Sequence, residues 1–417
     1  MKRALLILFI LISIQSLAID TMNISDSSFH HSIGFTTEYF LASNAITNRF
    51  AIAYYKGEFI DENRKNSVSK NLNQHNRIGA GFNTQLKYTN HNKTIFNLSN
   101  SFYSISLNNR YHVNSTFKKD VFELYFRGNK SYANKTADLG MFSFNQIFYQ
   151  QLNLTFGHNY SINENGFGYK FGLSLNKGQK LYTIFASRAL LFTEKNGEYL
   201  DLNTDIKIHQ SDSSKKFITD WNGTGSSADF TYFWKDKKKN KLTLSANNFG
   251  FINWNKNTAH IDVDTSFRYE GIDVSDLFQF SDSLKKTVSL DSSLVEPYLS
   301  VREKNSHTTP LPALLSLSYQ YILKPGKMDL TAEINYLFFA GYSIHESLNF
   351  SYTLNNTHCL SLKASYGGYS GFQAGLAYST SFIKNWVFTF QSDYLSSLLN
   401  SENGNAQGAF ISLTSYF

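Results

Sequence analysis

The sequence has a single cysteine, Cys359, so no disulfide bond can form within the chain. It is also poor in charge, with 17% charged residues against about a quarter in an average soluble domain. Beyond the first twenty residues it has no apolar run of the roughly eighteen residues that a transmembrane helix needs. Stability therefore has to come from backbone hydrogen bonds and burial.

The sequence also lacks a recognisable catalytic or metal-binding pattern. With one cysteine and scattered histidines, no spacing resembles a zinc site, so we expect no metal and no cofactor. The pair His30 and His31 and the run His345, Glu346 and Ser347 are the nearest approach to catalytic residues. We place the second group on an outer loop, interpret both as ordinary polar segments, and expect no enzyme activity.

The first residues have the layout of a cleavable secretory signal. Lys2 and Arg3 precede the apolar run from Ala4 to Ile14, and the small residues of "SLA" follow. We predict a signal peptide over residues 1–18, cleaved between Ala18 and Ile19. Basic residues outnumber acidic ones in this chain. Because the chain is predicted to be exported and its main basic cluster is "KDKKKN", we expect no nucleic-acid partner.

The composition favours a barrel that spans a membrane with strands. Mean hydropathy is slightly polar at −0.31, yet aromatic residues reach 16%, with 37 Phe and 26 Tyr. A closed barrel with an apolar belt toward lipid and a polar lumen has this mixture. We therefore predict an all-β, transmembrane antiparallel barrel over residues 19–417, with about 14 strands in a range of 14 to 18.

Period-two alternation in the second half of the chain supports this fold. In "LLSLSYQY" the large residues share one face and Ser316, Ser318 and Gln320 the other, and "MDLTAEINYLF" and "WVFTFQSDY" repeat the pattern. The presumed inner faces carry charge, which a dry sandwich core could not solvate. The predicted lumen-facing residues and candidate ligand contacts are Asp329, Glu333, Lys363, Gln391 and Asp393.

Connection lengths predict which end of the barrel faces which side, since periplasmic turns are short and outer loops long. Counting back from the C-terminus places "IKN", "LNNTH", "LKPGK" and "WNKNTA" on the periplasmic side. The same count places "SSLLNSENGNAQ", "KDKKKN" and the segment 276–310 outside. We expect that long segment to be an extracellular loop or lid, with "DLFQFSDSLKK" as a short helix.

The first half of the chain is patterned less clearly. The predicted strands there are "RFAIAYYKGEFI", "RIGAGFNTQLKY", "TIFNLSNSFYSISL", "QQLNLTFGHNY" and "GFGYKFGLSLN". Residues 19–46 lack clear alternation, and we predict an N-terminal plug in the lumen, with a periplasmic tail as the alternative. The lumen is then expected to be obstructed by this plug or by residues 276–310.

Several segments carry a resemblance to a known family. These are Gly250, Phe251 and Trp254 in "GFINW", Tyr269, Gly271 and Asp273 in "YEGID", the pair Leu311 and Pro312, and "QSDYLSSLL". They resemble an uncharacterised family of Bacteroidetes outer-membrane barrels, a domain of unknown function, over roughly residues 146–417. That family is similar to FadL-like transporters and to the PorV and PorP/SprF barrels of type IX secretion.

The resemblance implies two alternative functions. The first is a FadL-like transporter or channel for a small, possibly hydrophobic molecule. The second is a barrel that transports nothing and anchors or docks a secreted or surface protein, for which the long outer segment would be the docking surface. In both cases the expected partners are outer-membrane lipid and the barrel insertion machinery.

The last ten residues, "GAFISLTSYF", end in an aromatic ring and contain no charge. Ile411, Leu413 and Phe417 fall on one face of a strand, together with Ser415, where such signals usually have an apolar residue. The segment resembles the C-terminal signal that the outer-membrane insertion machinery recognises. We therefore predict that it targets the chain to the outer membrane of a Gram-negative cell.

Overall fold

The fold is one antiparallel sheet that closes on itself, because its first and last strands pair. The computed structural model describes residues 30–417 apart from 163–164, 216–218, 271–301, 356, 382 and 401. Within that part, 14 strands form a closed barrel wall, which confirms the predicted fold class. In order around the wall they are β1 (His31–Ser43), β2 (Asn76–Ile95), β3 (Leu98–Phe117), β5 (Phe142–Ile162), β6 (Asn165–Thr193), β8 (Gly223–Lys235), β9 (Lys241–Trp254), β13 (Ala313–Lys324), β14 (Met328–Phe338), β15 (Ser343–Asn355), β16 (His358–Gly368), β17 (Gln373–Thr380), β18 (Trp386–Ser392) and β19 (Ala406–Tyr416).

The two faces of the wall differ as the alternation predicts. Leu315, Leu317 and Tyr319 of β13 are exposed on the outer face, and Ser316 and Ser318 between them are buried toward the lumen. The same alternation continues through β14 to β18. Outward apolar side chains around a polar interior are the arrangement of outer-membrane barrels, and this chain is one.

Closure of the barrel corrects the predicted plug. His31–Ser43 is the wall strand β1, which pairs with β19 on one side and β2 on the other. Its alternation is hidden in the sequence because Thr37 lies on the outward face and Phe40 on the inward face, while Ile33 and Phe35 point outward. The remainder of the predicted plug, before residue 30, lies outside the described residues, as do Ala18 and Ile19.

The connections form two rims. The turn rim carries His31, Phe417 and the short links after β2, β8, β13, β15 and β17, and the loop rim carries the long connections. "KDKKKN" lies on the turn rim and "WNKNTA" on the loop rim, so both were predicted on the wrong side. The reason is that β10 (Ala259–Tyr269) is not a wall strand. If β10 is counted as a wall strand, "KDKKKN" and "WNKNTA" are each assigned to the opposite rim.

A side sheet extends the barrel beyond the loop rim. β6 crosses the wall and continues upward, and its outer half pairs with β4 (Lys135–Asp138) and β7 (Leu200–Gln210). β7 pairs in turn with β10, and β10 pairs with β11 (Arg302–Lys304), while β12 (His307–Pro310) pairs with the upper end of β9. We call β4, β7, β10, β11, β12 and the outer half of β6 the extension.

An apolar cluster joins the extension to the wall. Ile147, Tyr149, Leu181, Ile252, Trp254 and Leu311 pack together there, all at most 3% exposed. Trp254 and Ile252 belong to the end of β9, and Leu181 belongs to β6 just above the point where it leaves the wall. The cluster therefore fixes the direction in which β6 leaves the barrel.

Helices cap part of the loop rim. Among the described residues they are α1 (Asn48–Lys56), α2 (Glu62–Ser69), α3 (Lys119–Arg127) and α4 (Leu395–Leu399), with a 3-10 turn at Lys130–Tyr132. The predicted strand "RFAIAYYKGEFI" is wrong, because Thr47 caps α1 through its side chain and Gly57 ends it in a left-handed conformation. Phe50 and Ala53, three residues apart, bury one face of this helix. No helix in the described part of the chain is long and apolar enough to cross a membrane.

The chain's last residue completes the seam of the barrel. The backbone of Phe417 exchanges hydrogen bonds with His31 at 2.9 and 3.0 Å, and its ring stacks on the His31 ring at 5.7 Å. Leu413 and Phe417 are exposed on the outer face, and Ile411 shares that face. Their role as an insertion signal stays a prediction.

Deletion of Phe417 is expected to lower the yield of membrane-inserted barrel and to leave export across the inner membrane unchanged. The measurement is the fraction of heat-modifiable protein in outer-membrane preparations. Deletion of Leu399, an exposed apolar residue on α4, is the control. Normal insertion without Phe417 would contradict the prediction.

Candidate functional site

The lumen is the candidate site, and inward side chains of the wall strands form it. A cavity of about 370 Å³ occupies its loop-rim half and another of about 440 Å³ its turn-rim half. Polar and charged side chains make up most of the lining, and the largest group among them carries amide or hydroxyl groups. In the first cavity these are Asn83, Gln85, Ser106, Asn108, Gln151, Asn153, Thr155, Thr231, Ser245, Asn247, Asn248, Ser316 and Asn335. The site can therefore offer both hydrogen-bond donors and acceptors to a solute.

A charged layer lies where the two cavities meet. Lys170, Thr231, Glu333, Lys363 and Asp393 line both of them. Lys363 Nζ lies 2.7 Å from Asp393 Oδ2, and both side chains are at least nine-tenths buried. A solute that crosses the lumen has to pass this layer, which carries charges of both signs.

Gly375 permits this ion pair. It stands opposite Lys363 on the neighbouring strand β17. A Cβ there would lie 2.6 Å from the Asp393 Cα. Without that side chain, Lys363 reaches across β17 to Asp393, and Gln391 donates a further hydrogen bond to the same carboxylate.

A bulge in β8 and β9 places a second polar group in the lumen. The register shifts at Asp229, and Asn248 adopts a positive φ of 62°, a conformation in which Asn is enriched. Asp229 accepts hydrogen bonds from the Asn248 N–H at 2.6 Å and from Asn153 at 2.8 Å. The Asn248 amide donates to the Tyr149 hydroxyl at 2.7 Å, and its oxygen accepts from Gln151 at 3.1 Å. These bonds fix the side chains that line this side of the cavity.

Aromatic rings surround the loop-rim end of the first cavity. Tyr342 and Tyr369 meet edge to face at 5.2 Å, and Phe40 stacks on Tyr369 at 6.3 Å. Tyr394 packs against the same cluster. All four line the cavity, so its outer end is apolar and its centre polar.

All five predicted lumen residues line the cavities. Glu333, Lys363 and Asp393 belong to the charged layer, and Gln391 binds Asp393. Asp329 lines the turn-rim cavity away from them. Their contact with a ligand stays a prediction.

The structure places the nearest candidates for catalytic residues in two different regions. His31 lies on the turn rim, where its Nδ1 is 2.8 Å from the Tyr88 hydroxyl. His345 is not on an outer loop: it belongs to β15 and lines the loop-rim cavity. Its neighbours in sequence, Glu346 and Ser347, point to opposite faces of that strand.

The residues that carried the family resemblance are mainly structural. Gly250 lets β8 approach closely, since a Cβ there would lie 2.1 Å from the Ser226 carbonyl oxygen. Phe251 is exposed on the outer face, and Trp254 is fully buried at the junction. Tyr269 ends β10. Gly271 and Asp273 lie outside the described residues.

One cluster of possible metal ligands, not predicted from the sequence, lies in the extension. A ring nitrogen of each of His209, His260 and His307 lies within 4.8 Å of those of the other two. The three residues are far apart in sequence, so no spacing motif could reveal them. Only the pairing of β7 with β10, and the position of β12, bring them together.

Comparisons with known proteins match this chain to one family model. A family model described as "Family of unknown function (DUF5723)" matches residues 23–390, so the match reaches into the N-terminal third, where the sequence resemblance is weak. A search of curated proteins found no match.

Among solved structures, the chain is similar to a deltaS2S3 mutant of the TodX monoaromatic hydrocarbon channel at 8% identity and a TM-score of 0.48, covering 95% of this chain and 93% of that one. It is also similar to a Pseudomonas aeruginosa FadL homologue at 8% identity and a TM-score of 0.41, covering 93% and 90%. The Pseudomonas putida toluene transporter TodX follows at 7% and 0.38, covering 93% and 88%.

Proposed function

Because the chain belongs to the family of unknown function DUF5723, whose name assigns no activity, we propose from its lumen that it is an outer-membrane transporter or channel for a small polar molecule. The observation that carries the proposal is the pair of polar cavities that meet at the charged layer. Their volumes are within the range of about 300 to 1,000 Å³ of small-molecule sites.

The polar lining favours a solute that forms hydrogen bonds over the hydrophobic one that the sequence resemblance implies. A hydrocarbon that fills the lumen centre would displace water from amide and charged groups and offer them no partner. Each such loss costs about 1 to 3 kcal/mol. A hydroxylated or zwitterionic solute replaces those water contacts. The aromatic rings at the loop-rim end can pack against the apolar face of such a solute.

The alternative function, an anchor for a secreted protein, depends on the segment 276–310. Residues 276–301 of that segment lie outside the described residues. The described remainder forms β11 and β12, whose pairing is with β10 and β9 of the same chain. No contact in the described part of the chain favours this alternative.

Site-directed labelling tests the proposal. The intact chain in liposomes is expected to admit small sugars, with swelling rates that fall as solute size rises. A Ser316→Cys variant, whose side chain lines the lumen, is expected to conduct normally until a bulky thiol reagent is attached, and then to lose most permeation. Labelling after folding separates obstruction of the lumen from failure to fold.

Leu317→Cys is the matched control, because Leu317 is the next residue of β13 and faces outward. Its labelling should leave permeation unchanged. The native Cys359 is 1% exposed, so the unmodified chain controls for background reaction. Swelling no faster than that of empty liposomes would contradict the channel proposal. Equal permeation before and after labelling of Ser316→Cys would place the route outside this lumen.

A further inference from the structure

We propose that His209, His260 and His307 form a binding site for a divalent transition-metal ion that prefers imidazole ligands, such as Zn²⁺, Ni²⁺ or Cu²⁺. The site lies in the extension, outside the barrel wall and apart from the lumen. It does not depend on the proposed transport function.

Strand pairing brings the three rings together. His209 of β7 and His260 of β10 stand directly opposite each other, the position in which side chains of an antiparallel pair are closest. His307 of β12 stacks on His209 with ring centroids 4.0 Å apart, and His260 lies 5.3 Å from His307. Three ligands from three strands are held by backbone hydrogen bonds.

The separation of the ring nitrogens is close to what an ion requires. Zinc–nitrogen bonds of about 2.0 to 2.1 Å in a tetrahedral site place ligand nitrogens about 3.4 Å apart. The widest pair here is within 4.8 Å, so ring rotation has to close it by at most about 1.4 Å. The three rings are only half-buried, which leaves room for that rotation and a fourth position for water.

Hydrogen bonds orient two of the rings as in known metal sites, where a ligating histidine uses its other nitrogen to bind an oxygen. The Nε2 of His260 lies 3.2 Å from the Asn305 carbonyl oxygen, to which its N–H donates. The lone pair of His260 is then on Nδ1. The Nδ1 of His209 lies 3.3 Å from the Thr183 hydroxyl. In the tautomer in which this Nδ1 donates, Nε2 of His209 carries the lone pair.

The surroundings of His209 and His307 favour the neutral form of these two rings, the form that binds a metal ion. Burial, followed by the neighbouring His307 and His260, lowers the pKa of His209 to about 4. Burial and His260 also lower the pKa of His307. Asp262 on β10 contributes a negative charge near the cluster, and its carboxylate lies 3.8 Å from Lys207. An ion at the centre would accept the three nitrogen lone pairs, which repel one another without it.

Titration calorimetry with Zn²⁺, on the full chain refolded in detergent and purified without a histidine tag, tests the proposal. We expect one ion per chain, and a zinc affinity at least about 10- to 100-fold lower in His260→Ala and in His307→Ala. That is the loss caused by removing a residue that only hydrogen-bonds to a metal ligand, and removing a ligand itself should cost at least as much. His75→Ala, which removes an exposed histidine outside the cluster, is the control and should bind like the unchanged chain.

Cu²⁺ electron paramagnetic resonance gives a second readout that does not depend on stability. The unchanged chain should show coupling to three imidazole nitrogens, and each single variant should show two. Zinc binding that is equal in the unchanged chain and in both cluster variants would overturn the proposal. So would a copper spectrum that is the same in the unchanged chain and in a cluster variant whose heat-modifiability shows that it has folded.

Discussion

Replacement of Lys363 by methionine is expected to lower the free energy of unfolding of the barrel by about 3 kcal/mol. Breaking a buried ion pair by removing one partner costs about 3 to 5 kcal/mol, because the remaining charge is left without compensation. Here Asp393 would be left, 4% exposed, in the layer that also holds Glu333. We expect the low end of the range because the lumen cavities border the pair.

The measurement is urea unfolding in detergent micelles, followed by tryptophan fluorescence and by mobility on unheated gels. Lys384→Met, at an exposed position in the last short turn, is the matched control and should change stability by less than about 0.5 kcal/mol. Lys363→Met combined with Asp393→Leu should recover most of the loss, since it removes both charges together. A double variant less stable than Lys363→Met alone would show that the pair itself is not the cause.

The wall strands were the most predictable part of the molecule. In β13 to β19 a lipid-facing side chain and a lumen-facing side chain differ in polarity at almost every step, so the sequence contains the period directly. Ser316 and Leu317 are a typical pair, one buried and one exposed. The five predicted lumen residues line the cavities for the same reason.

Elements in which apolar and polar residues do not alternate between the two faces could not be predicted in this way. β1 carries Thr37 outward and Phe40 inward, and Phe40 is tolerated there because it packs on Tyr369 at the lumen mouth. α1 has an apolar composition that also suits a strand, and its helical state depends on its capping residues. Tertiary contacts, which are not visible in a local pattern, decide both cases.

The extension was unpredictable for a topological reason. β10 alternates like a wall strand, with His260, Asp262 and Asp264 on one face, yet it pairs with β7 above the rim. Period two indicates a strand and does not say which sheet it joins. The histidine cluster depends on that choice of partner, so the sequence contains its residues without indicating that they meet.

Trp254→Ala is expected to lower the free energy of unfolding by about 3 to 5 kcal/mol, the cost of removing a fully buried large aromatic side chain. Trp254 is 0% exposed, and its Nε1 donates to the Thr309 hydroxyl at 2.8 Å. Its ring also covers Gly178, where a Cβ would lie 2.7 Å from it, at the last β6 residue that pairs with β8. The substitution therefore leaves a cavity at the junction between wall and extension.

The loss should be concentrated in the extension, because the wall strands keep their own ladders. Hydrogen exchange of β7 and β10 is expected to accelerate strongly in Trp254→Ala, with little change in β14 to β16. Trp386→Ala is the matched control, since Trp386 is 40% exposed on the outer face of β18 and supports no such junction. Unchanged protection of β7 and β10 in folded Trp254→Ala would show that the extension is held by its strand pairing alone. The apolar cluster would then contribute stability without fixing the path of β6.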